Sequence, residues 1–333
     1  MVTVLVTGSQ GFLGSYICRD LLKNNYKVIG VDNFSKYGTI SRSHDDHPNF
    51  SLITMDLAKL PGEGSSLDEW NECSPDYVIC TAAMIGGIGY FHKYAYDLVS
   101  VNERILANTF DKIINQKDKC KRVIVLSSSM VFENTNIFPT KEEEILNCPP
   151  PISTYGFQKL SSEYFAKGAL EQYGINYTII RPFNCVGTGE QFVGEESEKL
   201  NLGHVMPSIA YKVLSNQSPL EILGSGNQVR CFTNGLDFAR AVRLAMESES
   251  AINEDFNISI DDPMSVIDLA KLIWGKIRPD EEFSFKPTKA FEHDVQLRVA
   301  DVSKAKRLLG FTAAISVEES VDEVISYVRK TYF

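Results

Sequence analysis

Val2-Thr-Val-Leu-Val-Thr7, running into Gly8-Ser-Gln-Gly11-Phe-Leu-Gly14, is the stretch that decides the fold. Its first six residues are β-branched or apolar and contain no turn former, the composition of a short buried strand. After the glycines, Leu13, Ile17 and Leu21 fall at i, i+4 and i+8, along one face of a helix. Strand, glycine turn and helix in this order form the first unit of a doubly wound, Rossmann-type parallel α/β sheet. The glycines Gly8, Gly11 and Gly14 permit a tight turn, close approach of backbone to a pyrophosphate and close packing of helix on strand. The helix start, with Phe12 and Leu13 in its first turn, presents free N–H groups and the positive end of the helix dipole to that anion.

A second strand, Lys27 to Val31, ends at Asp32, 18 residues beyond Gly14, with Asn33 beside it. An acidic residue there accepts hydrogen bonds from the adenosine ribose hydroxyls and repels a 2′-phosphate, so the expected cofactor is NAD in preference to NADP.

Length and composition are those of an ordinary soluble globular protein. The chain has 333 residues, 44% hydrophobic and 23% charged, enough for one large domain or two modest lobes. Its net charge of -10 argues against a nucleic-acid partner. No apolar run reaches the length of a membrane span, and Met1 leads straight into a strand, so a cytoplasmic location and no membrane partner are expected. The seven cysteines lack metal-ligand spacing and read as buried thiols. His44-Asp-Asp-His47 could be imagined on a metal but reads as a solvated loop, and no metal is expected. The run Lys141-Glu-Glu-Glu144 likewise reads as a solvated face.

Tyr155-Gly-Phe-Gln-Lys159 sets a tyrosine and a lysine one helical turn apart on one face. A free phenol titrates near pH 10, and a fixed cation beside it brings it toward the range of a general acid–base group. The same spacing also occurs on plain solvated helices.

The G-x-x-G-x-x-G spacing, together with Tyr155 and Lys159, resembles the extended short-chain dehydrogenase/reductase family, in particular its NAD-dependent nucleotide-sugar epimerases and dehydratases. The resemblance spans essentially the whole chain. It implies that Asp56-Leu57 holds adenine, that Thr81-Ala82-Ala83 lines the cofactor, and that Asn102 caps the next helix near the nicotinamide ribose. It implies that Ser127-Ser128-Ser129 brings Ser128 beside Tyr155 as a proton bridge, with Ser127 toward the cofactor and Ser129 toward the substrate. In Arg181-Pro182-Phe183-Asn184, the backbone at Pro182 would meet the nicotinamide carboxamide and Asn184 a substrate phosphate. Arg230 and Arg298 become candidates for the diphosphate, and His204 a candidate contact to sugar or nucleotide. Asp237 is expected only as a helix cap. The segment Gly187 to Gly203 reads as a flap or a surface loop. A homodimer is implied, through a four-helix bundle of helices Leu98 to Asn115 and Tyr155 to Tyr173.

The same resemblance divides the chain into an NAD-binding domain, residues 1–184 with 232–255 returning to it, and a nucleotide-sugar lobe, residues 185–231 and 256–333. Dehydratases and decarboxylases of the family carry acids just after the catalytic hydroxyl, and 3,5-epimerases a cysteine; here Ser129 and Met130 stand there. A thioether neither gives nor takes a proton. Redox chemistry remains: oxidation of C4 of a nucleotide-diphosphate hexose by a retained NAD, rotation of the 4-keto sugar, and hydride return to its other face. The expected activity is a nucleotide-sugar 4-epimerase, with Tyr155 as acid–base and Lys159 as its electrostatic and ribose-binding partner. Against it stands Ala82-Ala-Met-Ile-Gly86-Gly87-Ile-Gly89, which resembles the loop of GDP-mannose 3,5-epimerases and GDP-fucose synthases and makes Gly86 and Gly87 substrate candidates. A dinucleotide-binding sensor without activity is the third reading.

Overall fold

In the computed structural model, residues 1–59, 65–192, 203–289 and 295–333 are described. In chain order the strands are β1 (Thr3–Thr7), β2 (Lys27–Asp32), β3 (Phe50–Thr54), β4 (Tyr77–Cys80), β5 (Arg122–Leu126) and β6 (Tyr177–Pro182). Then follow β7 (Leu220–Leu223), β8 (Val229–Cys231), β9 (Glu254–Ile258), β10 (Pro263–Ser265), β11 (Phe285–Thr288) and β12 (Leu297–Arg298). The helices are α1 (Phe12–Lys23), α2 (Ser65–Glu72), α3 (Ile88–Lys93), α4 (Ala95–Asn115) and α5 (Thr154–Tyr173). They continue with α6 (Val205–Leu214), α7 (Gly235–Glu247), α8 (Val266–Ile277), α9 (Ser303–Leu309) and α10 (Val317–Tyr332).

Seven parallel strands form the main sheet in the order β3-β2-β1-β4-β5-β6-β9. Its central strands are mainly apolar, as burial on both faces requires, and all five residues of β5 are buried, Arg122 among them. One face packs on α1, α7 and α9 through Tyr16, Ile17, Phe238, Val242 and Leu309. The other packs on α4 and α5 through Phe110, Ile113 and Ala166. The chain leaves β1 toward one edge and β4 toward the other, so a crevice opens at the carboxyl ends of these strands, the usual ligand position in such sheets. A second body is built on α6, α8 and α10 around Val213, Ile273, Trp274 and Val324. It carries the pair β11-β7 and the three strands β10-β8-β12.

The structure corrects several expectations. Residues 256–258 do not belong to the second lobe: they are the end of β9, paired in parallel register with β6, and Phe256 and Ile258 complete the apolar edge of the main sheet. Helix α9 packs on the same body through Ala305 and Leu309. His44 is not solvated but buried edge-on against Phe50, ring centroids 4.7 Å apart, and burial lowers its pKa to about 4. In the 141–144 run, Glu142 is buried and accepts the Asn257 backbone N–H, while Glu144 accepts the Thr135 hydroxyl. Charge composition marks such stretches as outer surface, yet each of these two buried acids has a partner that makes burial tolerable.

Helix α5 has clear causes at both ends. Pro149-Pro-Pro151 stops regular structure ahead of it, and the Ser153 hydroxyl accepts the Gly156 N–H as N-cap. Gly174, at φ 72°, closes it in the left-handed conformation.

Candidate active site

A cavity of about 1370 Å³ lies in the crevice, bounded by the carboxyl ends of β1, β2, β4, β5 and β6 and by α6, β7 and β8 of the second body. The glycine turn forms one wall. A Cβ on Gly8 would lie 2.7 Å from the Ala82 Cα, and one on Gly14 would lie 2.0 Å from the Gly8 carbonyl oxygen. Gly11 caps α1 without a side-chain hydrogen bond, which leaves first-turn N–H groups for an anion. Asp32 accepts the Gln10 N–H at 2.9 Å and the Phe34 N–H at 2.8 Å, tying the end of β2 to the turn. Asn33 lines the cavity beside it. Asp56 and Leu57 follow at the end of β3, with the Leu57 carbonyl held by Asn108 at 2.7 Å. The Thr7 hydroxyl, which sequence reasoning missed, accepts the N–H groups of Thr81 and Ala82 at 3.2 Å each. Ala83 lines the cavity with them. A backbone cradle too narrow for any Cβ, an open helix start and a carboxylate lining the cavity at the end of β2 together fit NAD.

Asn102 is not a helix cap. It sits inside α4, which begins at Ala95, and its amide is spent on the Met84 backbone: it accepts the N–H at 2.6 Å and donates to the carbonyl at 3.1 Å. It lies behind the cavity and fixes the loop after β4. Gly86 also stands off the cavity, since its missing Cβ makes room for Tyr90, 2.6 Å from where it would be; Gly87 caps α3 and does line the cavity.

Tyr155 is 5% exposed in a small apolar cluster with Leu98 and Met130. Its ring stacks on Phe91, centroids 4.1 Å apart and planes at 13°. Phe91 was missed too; the aromatic run Tyr90-Phe91 after the paired glycines was its only signal in the sequence. Burial raises the phenol pKa, and a hydrogen bond with the Ser128 hydroxyl and the charge of Arg298 counter the rise. The Ser128 hydroxyl also accepts the Met130 N–H at 3.1 Å.

Lys159 departs from expectation. The i, i+4 spacing predicts its ammonium as the charge acting on the phenol, but it donates to the Leu126 carbonyl at 3.1 Å, and the cation acting on the phenol is Arg298. The helix aligns the two Cβ atoms; beyond them the lysine stem follows the end of β5 while the phenol enters the cavity. Burial lowers the lysine pKa to about 8, against the pull of Cys80 and Glu103.

Around this pair the remaining candidates fall into two groups. Ser129, Pro182, Asn184, His204, Arg230 and Arg298 line the cavity. Asn184, at φ 43°, accepts from Arg298 Nη1 at 3.3 Å. Arg230 donates to the carbonyls of Val295 at 2.6 Å and Val229 at 2.9 Å, which stitches β8 to the chain leading into β12. The His204 imidazole hydrogen-bonds Glu190 at the start of α6. Ser127 lines the cavity, but its hydroxyl donates to Glu163 at 2.7 Å, away from any cofactor. Asp237 is no cap: Asn234 caps α7, and Asp237 accepts the N–H groups of Ala314 and Ile315 at 2.8 Å each. Of the expected flap, residues 193–202 lie outside the described residues, as do 290–294 ahead of Arg298. Thr188 is bound to the Tyr16 hydroxyl at 2.7 Å, and Arg42 bridges the Gln10 and Gly189 carbonyls at 2.8 and 3.2 Å. Nothing in the spacing of the sequence pointed to Arg42.

Among the described residues no cluster could hold a metal ion, and no helix is long and apolar enough to cross a membrane.

The sequence profile of the NAD dependent epimerase/dehydratase family matches residues 4–259. A protein of Methanocaldococcus jannaschii named "Putative UDP-glucose 4-epimerase" is 30% identical over 327 residues, 98% of each chain. UDP-glucuronic acid decarboxylase 1 of Xenopus tropicalis is 25% identical over 98% of this chain and 72% of its own. The crystal structure of UDP-glucose 4-epimerase from Thermotoga maritima with UDP-glucose superposes over 100% of both chains with a TM-score of 0.83 at 29% identity.

Proposed function

The chain belongs to the NAD-dependent epimerase/dehydratase family, and on that premise we propose that it is a nucleotide-sugar 4-epimerase, with UDP-hexoses the first substrates to offer it. The observation that carries this reading is the surrounding of the phenol. Tyr155 and Ser128 form the hydrogen-bonded proton pair at the cavity wall, while Met130 packs into the apolar cluster around the ring. Tyr155 takes the C4 hydroxyl proton and later returns it; Ser128 relays it and orients the sugar oxygen. Phe91 and Met130 keep water from the phenol. Arg298 favours its ionised form. Lys159 stands at the end of β5 to hold the nicotinamide ribose. NAD, when bound, supplies the chemistry of taking up and giving back a hydride at C4.

One observation favours a second reading, a GDP-sugar 3,5-epimerase or reductase: the Cys185 thiol lines the cavity, close enough to the phenol to act on its pKa. Solvent deuterium separates the two. Interconversion of a UDP-hexose pair without deuterium at carbon supports 4-epimerisation, and deuterium at C3 or C5 overturns it. Tyr155→Phe should retain NAD and lose turnover; a fully active variant refutes the assignment.

Helices α4 and α5 turn Tyr96, Phe157 and Tyr164 outward, 78%, 53% and 66% exposed. This apolar outer face supports a homodimer built on a four-helix bundle.

A further inference from the structure

Glu133 is a carboxylate at the catalytic end of the cavity for which the proton chemistry has no use. It lines the cavity together with Ser129, Met130, Ser153 and Tyr155. Its Oε2 accepts the Ser153 hydroxyl at 2.7 Å and the Ser153 N–H at 3.0 Å. Ser153 is the N-cap of α5, so the carboxylate is fastened to the start of the helix that carries Tyr155, where the helix dipole favours a negative charge. The fit is tight: a Cβ on Gly156 would lie 3.0 Å from Glu133 Oε2 and 2.8 Å from the Met130 carbonyl oxygen. The two hydrogen bonds from Ser153 hold the Glu133 carboxylate at this helix start.

We propose that Glu133 selects the charge of the sugar: it makes the catalytic end of the cavity a site for an uncharged hexose and excludes a hexuronate. This rests on the nucleotide-sugar reading above and adds the class of sugar. A hexuronate carries its carboxylate on C5, next to the carbon that reacts at Tyr155, so productive binding would bring two carboxylates together at the catalytic end of the cavity. Like charges so juxtaposed are strongly disfavoured. An uncharged hexose instead offers hydroxyl donors, which a carboxylate oxygen accepts. Arg298 is the cation that could offset the repulsion, and it is hydrogen-bonded to Asn184.

The test compares UDP-glucose with UDP-glucuronate on the NAD-loaded protein, by titration calorimetry and by C4-epimer formation. The wild type should favour the uncharged sugar by roughly a hundredfold. Glu133→Gln keeps an acceptor for Ser153 while removing the charge, and should shrink that preference to about tenfold or less, chiefly through tighter UDP-glucuronate binding. Equal handling of both sugars by the wild type overturns the proposal, with Arg298 then the dominant charge. So does a preference that Glu133→Gln leaves unchanged in a variant of wild-type melting temperature. If the variant fails to fold, the wild-type preference alone decides. Binding of neither sugar overturns the UDP-sugar reading itself, a result distinct from loss of selectivity alone.

Discussion

Lys159→Met should remove activity and at the same time relieve the fold of an electrostatic cost. Lys159 is 8% exposed, and burial takes its pKa from 10.5 to about 8. A shift of that size corresponds to about 3 kcal/mol against the folded state wherever the lysine is charged in both states. The folded protein binds fewer protons than the unfolded chain between those two values, so wild-type stability from this group rises with pH from about 8 to 10.5. Methionine has nearly the same stem and no charge. Its own cost is the Leu126 carbonyl, which loses its donor, about 1–3 kcal/mol. At pH 7 the variant should therefore match the wild type or exceed it by up to about 2 kcal/mol. The decisive quantity is the difference between the two proteins, which should move in favour of the wild type by about 3 kcal/mol as pH climbs through the window. Urea denaturation of nucleotide-free protein at pH 7, 8, 9 and 10 measures it, because a bound ligand would add its own stabilisation. A difference that stays flat with pH, or one that moves in favour of the variant, refutes the account of Lys159 as a buried cation held at a cost for function.

Gly14→Ala places a methyl group against the Gly8 carbonyl at both oxygen and carbon; bound NAD should be lost and the melting temperature should fall, the overpacking alone costing about 1–3 kcal/mol. Arg181 is fully buried and clamps Glu163 through two hydrogen bonds of 2.7 Å, with Asp255 at 2.8 Å on its Nη2. Arg181→Met alone should cost about 3–5 kcal/mol in urea denaturation, and adding Glu163→Leu should recover much of it, because the isolated buried charge is the expensive species. Tyr164→Glu, on the exposed face of α5, should convert the proposed homodimer to a monomer in light scattering.

What could be read from the sequence follows the reach of local rules. The strand and helix of residues 3–23 and the glycines between them obey short-range periodicity and turn chemistry, so their places were legible. The same holds for Asp32, Ser128 and Tyr155, which stand at or just past a strand end or at a helix start and so reach the crevice by construction. Illegible were roles set by the path of a long side chain. Lys159 lies on the helix face that spacing predicts but donates to the Leu126 carbonyl, and Asn102, expected as a cap, accepts the Met84 N–H instead. Phe91, Glu133 and Arg42 act through contacts 64, 20 and 32 residues away in the chain. Residues 256–258 of β9 were expected in the wrong body because the partner strand β6 lies more than seventy residues earlier, with β7 and β8 of the other body between them.

These long-range contacts share one target. Helix α5 is gripped at its start by Glu133 through Ser153, and two turns beyond Tyr155 by Glu163, which the Arg181 guanidinium and the Ser127 hydroxyl hold to the ends of β6 and β5. A helix fixed at two points along its axis can neither slide nor rotate without breaking a buried charge-assisted bond. The phenol between those points is then placed by the scaffold alone, before any ligand arrives. On the 4-epimerase proposal, the proton transfer runs in both directions with the sugar presented by either face: the sugar would have to turn, so the group that serves both faces has to stay still.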